Sequence, residues 1–124
     1  MYSIIAKKAE NRLYIVLSGR FDMQDTAGIL QDLIARAKEL EPGFDVINDI
    51  RQVKFANTAT SNEIKKGTAA LEKAGARAIV RVVGKSKYAL LLFAKFAQLS
   101  TKSSKTKIFH VPSMEAAELK LSSI

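Results

Sequence analysis

No cysteine occurs among the 124 residues, so a disulfide framework, a thiol nucleophile and a cysteine metal site are all excluded. Histidine is nearly absent too. The one copy, His110, cannot build a multi-histidine metal centre. With no carboxylate near it in sequence, it reads as a wall residue rather than a base. Long apolar runs are missing as well. The longest, 88–94, is far too short to cross a bilayer. The opening MYSIIAKKAENR has no apolar core of signal-peptide length, and the expected location is cytoplasmic. Carboxylates are absent from one long stretch. None lies between Glu72 and Glu115, where Lys73, Arg77, Arg81, Lys85, Lys87, Lys95, Lys102, Lys105 and Lys107 all fall.

What is present fits a single domain spanning 1–124. The length suffices to bury a core. Apolar residues make up 48% and the mean hydropathy is +0.01, an ordinary globule rather than a disordered tail. The net charge of +8 is unevenly placed. Residues 1–62 hold eight Lys/Arg against eight Asp/Glu, and 63–124 hold twelve against four, so the whole excess lies in the second half. A field of one sign favours anionic partners: an acidic protein surface, anionic lipid headgroups or nucleic acid. It also keeps a surface solvated with no partner at all. Nucleic acid is disfavoured among these, because no aromatics interleave with the lysines as stacking platforms and no readout motif occurs.

Two strands are predicted at 3–8 and 12–19, joined by a short turn at Glu10 and Asn11. Asp22 can cap a helix over 23–40, with Ala27, Leu30, Leu33, Ile34, Ala37 and Leu40 at helical spacing and Pro42-Gly43 as the stop. A third strand follows at 44–50. Near Thr60 a second helix starts, with Ile64, Gly67, Leu71 and Ala74 on one face and Gly75 ending it. The remainder reads as a strand at 77–83, a helix at 86–99, a strand at 106–111 and a last helix to 121, opened by Pro112-Ser113. Strand–helix alternation from residue 12 onward implies parallel strands joined by right-handed crossovers. Laid down in sequential order, such strands place every helix on the same side of the sheet. The other side is then open. The alternation of Arg77, Ile79, Arg81 and Val83 against Ala78, Val80 and Val82, with Lys105 and Lys107 alternating likewise, predicts that this uncovered face is partly basic.

The order β-β-α-β-α-β-α-β-α at this length resembles the STAS domain, the fold of bacterial anti-sigma-factor antagonists. The segment VINDIRQVKFANTATS strengthens the resemblance. In that family a strand ends in Asp, an aliphatic residue, a Val and a Phe, and leads to Asp-Ser-Ser-Gly at a helix start. Here Asp49, Ile50, Val53 and Phe55 fill the first positions, and Asn57, Thr58, Ala59 and Thr60 the second. The resemblance implies an α/β, single-domain STAS-like (SpoIIAA-like) fold: about five strands in a mixed sheet, an N-terminal hairpin and four helices mainly on one face. It also implies a non-enzymatic protein-binding or regulatory module acting through the loop and helix start after the third strand. Asp49, Asn57, Thr58, Thr60 and Ser61 are its candidate partner-binding or phosphorylation residues.

The family's switch does not carry over directly. Ala59 stands where the signalling members have their phosphorylated Ser, and Asn57 replaces the acidic residue. Thr58 and Thr60 could accept phosphate instead, which a helix N-terminus favours. The plainer expectation for Thr60-x-x-Glu63 is a capping box that satisfies orphan backbone donors. The second half is similar to a SpoIIAA-like, STAS/SEC14-like subgroup for which lipophilic ligands or membrane surfaces have been suggested. LLLFAKFAQLS and TKIFHV carry that likeness.

In the helix expected at 86–99, Ala89, Leu92, Phe93 and Phe96 form a core-facing stripe, with Lys87, Leu90, Leu91, Ala94 and Gln98 opposite. Leu90 and Leu91 are then covered by the last helix or the terminus, or they mark a partner or homodimer interface. A further alternative is a lipid-facing surface or lipophilic-ligand site where Leu90, Leu91 and Phe93 insert beside Lys87 and Lys95. Gly84-Lys85-Ser86 mimics the end of a P-loop, but Ile79 stands where that motif needs its first Gly, which excludes a phosphate cradle. Asn48 and Asp49 could do acid–base work, yet no histidine, cysteine or second carboxylate in that segment assists them. No catalytic residue, metal ligand or cofactor is assigned.

Overall fold

The computed structural model describes residues 2–19, 23–54, 58–85 and 105–124, and for 23–26, 58–61, 63 and 64 it describes the backbone. β1 (Tyr2–Lys7) and β2 (Arg12–Gly19) form an antiparallel hairpin. Its turn places Asn11 in the left-handed region at φ 51, a conformation that Asn tolerates because its short amide can bond locally. That amide accepts from Glu41 N–H at 2.9 Å and donates to the Glu41 carbonyl at 3.2 Å. α1 (Met23–Ala37), β3 (Asp45–Val53), α2 (Thr58–Ala74), β4 (Ala78–Val82), β5 (Lys107–Val111) and α3 (Met114–Ser123) follow. The five strands lie in the order β1-β2-β3-β4-β5, and β2 to β5 are mutually parallel. This is the expected mixed sheet with its N-terminal hairpin. The helix expected at 86–99 lies outside the described residues, among which there are three helices.

The two faces of the sheet are covered by different helices. α1 and α2 pack on the first through Leu33, Ala37 and Leu71, against Leu13, Ile15, Val46, Ile50, Ile79 and Val83 of the strands. Sequential right-handed crossovers put both helices there. The opposite face carries Ile47, Ala78, Val80, Val82 and Val111, and α3 covers it with Ala117 and Leu121. This corrects the expected one-sided layer. The handedness rule governs a helix that connects two parallel strands, and α3 connects none. Following the last strand, it turns to the face that still has apolar surface to bury. Ser113 starts it, its hydroxyl accepting from Ala116 N–H at 3.1 Å.

The partly basic open face is corrected as well. Arg81 shares its side with Ile79 and Val83, so it lies beneath α2 and is 2% exposed. Lys107 shares a side with Phe109 on the α3 face. The two basic alternations therefore fall on opposite faces. What α3 leaves open is the β1–β2 end of its face, where Ile5 is 52% and Val16 is 40% exposed.

Candidate functional site

Parallel strands finish at one edge of a sheet, and the groups that follow them gather there. β3 ends at Val53, and Lys54 N–H donates to the Gly19 carbonyl at 3.0 Å, fastening the ends of β3 and β2 together. Four residues later α2 begins at Thr58. Its first turn, Thr58-Ala59-Thr60-Ser61, holds three hydroxyl residues and no carboxylate. The leading N–H groups of a helix have no partner within it, and the macrodipole makes that end attractive to acceptors and anions. Thr60 sits within the helix rather than before it, so it cannot be the N-cap, and the expected Thr60–Glu63 capping box is corrected by two residues of helix. Asn57 and Phe55 lie outside the described residues. For Thr58, Thr60 and Ser61 the backbone alone is described.

Asp49 belongs to the same edge but to the other face. It pairs in register with Val16 and Val82 on the α3 side. Arg51, two residues on in the same strand, shares that face. Its Nε–H donates to Asp49 Oδ1 at 2.9 Å and its Nη2–H to Oδ2 at 2.8 Å, while Arg51 N–H reaches Oδ1 at 3.2 Å. Burial pushes the Asp49 carboxyl up, but the side-chain and backbone bonds from Arg51 outweigh it and hold the carboxyl below its ordinary value. The Arg51 stem rests on Gly84, where an added Cβ would meet Arg51 Cγ at 3.0 Å. Asp49 is thus ionised and held in a two-point pair, an arrangement suited to positioning Arg51 rather than to accepting a proton.

A second polar group crosses the α1–α2 face. Asn48, Arg81 and His110 are successive register partners on β3, β4 and β5, so their side chains stand in a row. Arg81 Nη2–H donates to Thr68 Oγ1 of α2 at 3.0 Å. Burial lowers the Arg81 pKa to about 10, against the opposing field of Glu72, and the guanidinium stays charged at neutral pH. Burial and the Arg81 charge push His110 down to about 4, which keeps its ring neutral. His110, expected as a wall residue, is half-buried on the α1–α2 face. Among the described residues no group of three or more His, Asp or Glu side chains could hold a metal ion.

The candidate residues therefore divide. Thr58, Thr60 and Ser61 share one helix turn, Asp49 faces away from them, and Lys87, Leu90, Leu91, Phe93 and Lys95 lie outside the described residues. Sequence reasoning missed Arg51, although the Asp-x-Arg spacing on a strand signals one shared face. It also missed the Asn48–Arg81–His110 row, because register between strands distant in sequence has no local signature. No described helix is long and apolar enough to cross a membrane.

No protein-family model matches the chain, and no curated protein matches it either. Solved structures do match. The anti-sigma factor antagonist SpoIIAA in its unphosphorylated form aligns over 100% of both chains at 12% identity, with a TM-score of 0.69. The Bacillus cell fate determinant SpoIIAA in its phosphorylated form covers 98% of this chain and 99% of its own, at 12% identity and a TM-score of 0.63. A chain in the complex of the diguanylate cyclase SiaD with its activator SiaC from Pseudomonas aeruginosa covers 90% and is covered over 93%, at 12% identity and a TM-score of 0.56.

Proposed function

We propose that this chain, which has the fold of the anti-sigma factor antagonists, is a non-enzymatic protein-binding module that regulates a partner through the corner between β3 and α2. The observation that carries this reading is the α2 start at the carboxyl edge of the sheet, with three hydroxyl residues and no carboxylate in its first turn. Such a turn offers unpaired N–H groups and neutral donors to an acidic or carbonyl-rich partner surface. The solved structures with this fold support a protein partner. They include two forms of SpoIIAA that differ in phosphorylation, and an enzyme in complex with its activator.

Asn57, Thr58, Thr60 and Ser61 form the contact, and Asp49 stiffens the strand that leads to it by holding Arg51. Ala59 removes the hydroxyl at its own position, which leaves Thr58 and Thr60 as the acceptors for a phosphate at this helix end. A cytoplasmic setting fits this role. The lipid reading, through Lys87, Leu90, Leu91, Phe93 and Lys95, keeps its basis in the sequence alone. The test is affinity capture from the native cell with the wild type and Thr58→Glu/Thr60→Glu. Loss of at least one specific partner from the variant is expected. Identical partner lists, with both chains equally folded by circular dichroism, would remove the corner as the docking point.

A further inference from the structure

At the other end of the helical layer, about 25 Å along α2 from Thr58, the carboxyl-terminal turns of α1 and α2 line a groove. The helices are in contact where a Cβ on Gly67 would meet Leu33 Cδ2 at 3.3 Å. Beyond that point the facing residues are small: Ala37 on α1, Ala70 and Ala74 on α2. Small side chains on both helices leave space that nothing in the core fills. The result is a groove of about 410 Å³, floored by Leu33, Leu40 and Leu71. Ile34 on its rim is 40% exposed.

The end of the groove is rigid. Pro42 closes it and packs on Gly75, whose φ of 100 and Cβ position, 3.2 Å from Pro42 Cβ, make any side chain there strained. Gly43 N–H donates to the Gly75 carbonyl at 2.7 Å, tying the two loops together. A preformed apolar cleft loses little on binding, because its walls are already ordered.

Its charge selects the occupant. Lys38 and Lys73 line the groove, one from each side, and neither is ion-paired among the described residues. Of the neighbouring carboxylates, Glu39 is ion-paired away from the groove. It bridges to Arg36 at 3.3 Å and to Lys8 at 3.8 Å. We infer that this groove is a second protein-docking surface, which takes a short segment of a partner that inserts one branched or aromatic apolar side chain between α1 and α2 and places carboxylates against Lys38 and Lys73. The mode is that of an amphipathic segment laid in a helical groove, with one buried anchor and charged flanks. It lies apart from the β3–α2 corner and stands whether or not that corner binds anything.

The experiment pans a random displayed library of twelve-residue peptides against the intact chain and measures the enriched peptides by fluorescence anisotropy. The expected sequences pair Leu, Ile or Phe with two or more Asp or Glu residues. Ala70→Leu, which fills the groove, and Lys38→Glu/Lys73→Glu, which leaves the core untouched, each weaken them at least tenfold. Thr58→Glu/Thr60→Glu leaves them unchanged. Absence of enrichment, enrichment of peptides without carboxylates, or equal binding to either groove variant overturns the inference. So does phosphatidylglycerol vesicle binding lost in Lys38→Glu/Lys73→Glu while no peptide binds, which assigns the groove to lipid. A concentration-dependent dimer abolished by Ala70→Leu assigns it to a second copy and overturns it equally.

Discussion

The two faces of the sheet handle charge in opposite ways. On the α3 face, charged groups stand at the rim and in pairs. Arg77 holds Asp45 through two bonds of 2.8 and 2.7 Å and reaches the Leu121 carbonyl at 3.5 Å. Arg51 holds Asp49, and Arg12 holds Glu118. Inside this ring the surface is apolar: Ile47, Ala78, Val80 and Val82 under Ala117 and Leu121. On the α1–α2 face the order is reversed, with a guanidinium inside the core, bonded to a neutral hydroxyl and set between Asn48 and His110. Exposed rim pairs contribute about 0–1 kcal/mol each because water screens them. A buried cation has no water to fall back on and relies entirely on the protein around it. The difference teaches that the basic excess of the sequence is not all surface: one of its charges is part of the core.

The largest effect that sharpens this contrast is at Arg81. Arg81→Ala removes the stem and the bond to Thr68 together, and the expected cost is about 3–4 kcal/mol. Arg81→Met keeps most of the packing and removes the desolvated charge, and the expected cost is below about 1.5 kcal/mol. Urea unfolding monitored by tyrosine fluorescence measures both. If the two variants lose the same amount, the specific polar contacts of Arg81 matter more than its volume, and the buried-cation account is wrong.

The next effect is a pH dependence at His110. Its pKa is about 4 in the folded chain, against an ordinary 6.5, first through burial and then through the Arg81 charge. Between those values the unfolded chain binds the proton and the folded chain does not, so stability falls as the pH is lowered from about 6.5 to about 4. Above that window the ring is neutral in both states and has no effect. Solvent reaches part of the ring, so the expected loss is about 1–2 kcal/mol rather than the full converted shift. His110→Gln should flatten the stability profile across this window. An unaltered slope in the variant would locate the titration elsewhere.

Local patterns in the sequence were enough for most of the elements. β2 was expected at 12–19 and spans Arg12–Gly19, because its alternation and its flanking turn residues coincide. β3 was expected to stop at 50 but runs to Val53, since a register shift against Val16 and Ser18 lets Val53 rejoin the buried side. α1 was expected to reach 40 and ends at Ala37. Leu40 is still buried, but from a turn. The side taken by α3 was not legible, because a helix after the last strand answers to which surface remains apolar and not to a chirality rule. The site was legible as a place and not as a set. The corner after β3 follows from strand order alone, whereas Asp49 belongs to the opposite face by simple alternation from Ile47.

The smallest effect tests the rim at Asp49. Burial raises its carboxyl and the Arg51 bonds lower it further, so the folded value lies below the ordinary one. Its contribution is complete above about pH 4, the unfolded value, and is lost as the pH falls through the folded value. Asp49 is therefore silent in the window where His110 titrates, and the two can be separated in one acid series. The Arg51 side chain is 38% exposed and that of Asp49 13%, so Asp49→Asn should cost about 1 kcal/mol at neutral pH. As the pH falls through the depressed folded value the variant should converge on the wild type, because both then carry an uncharged group beside Arg51. A cost above about 2 kcal/mol would place the pair in the core rather than on the rim. The contrast between charge at the rim of one face and charge in the core of the other would then fail.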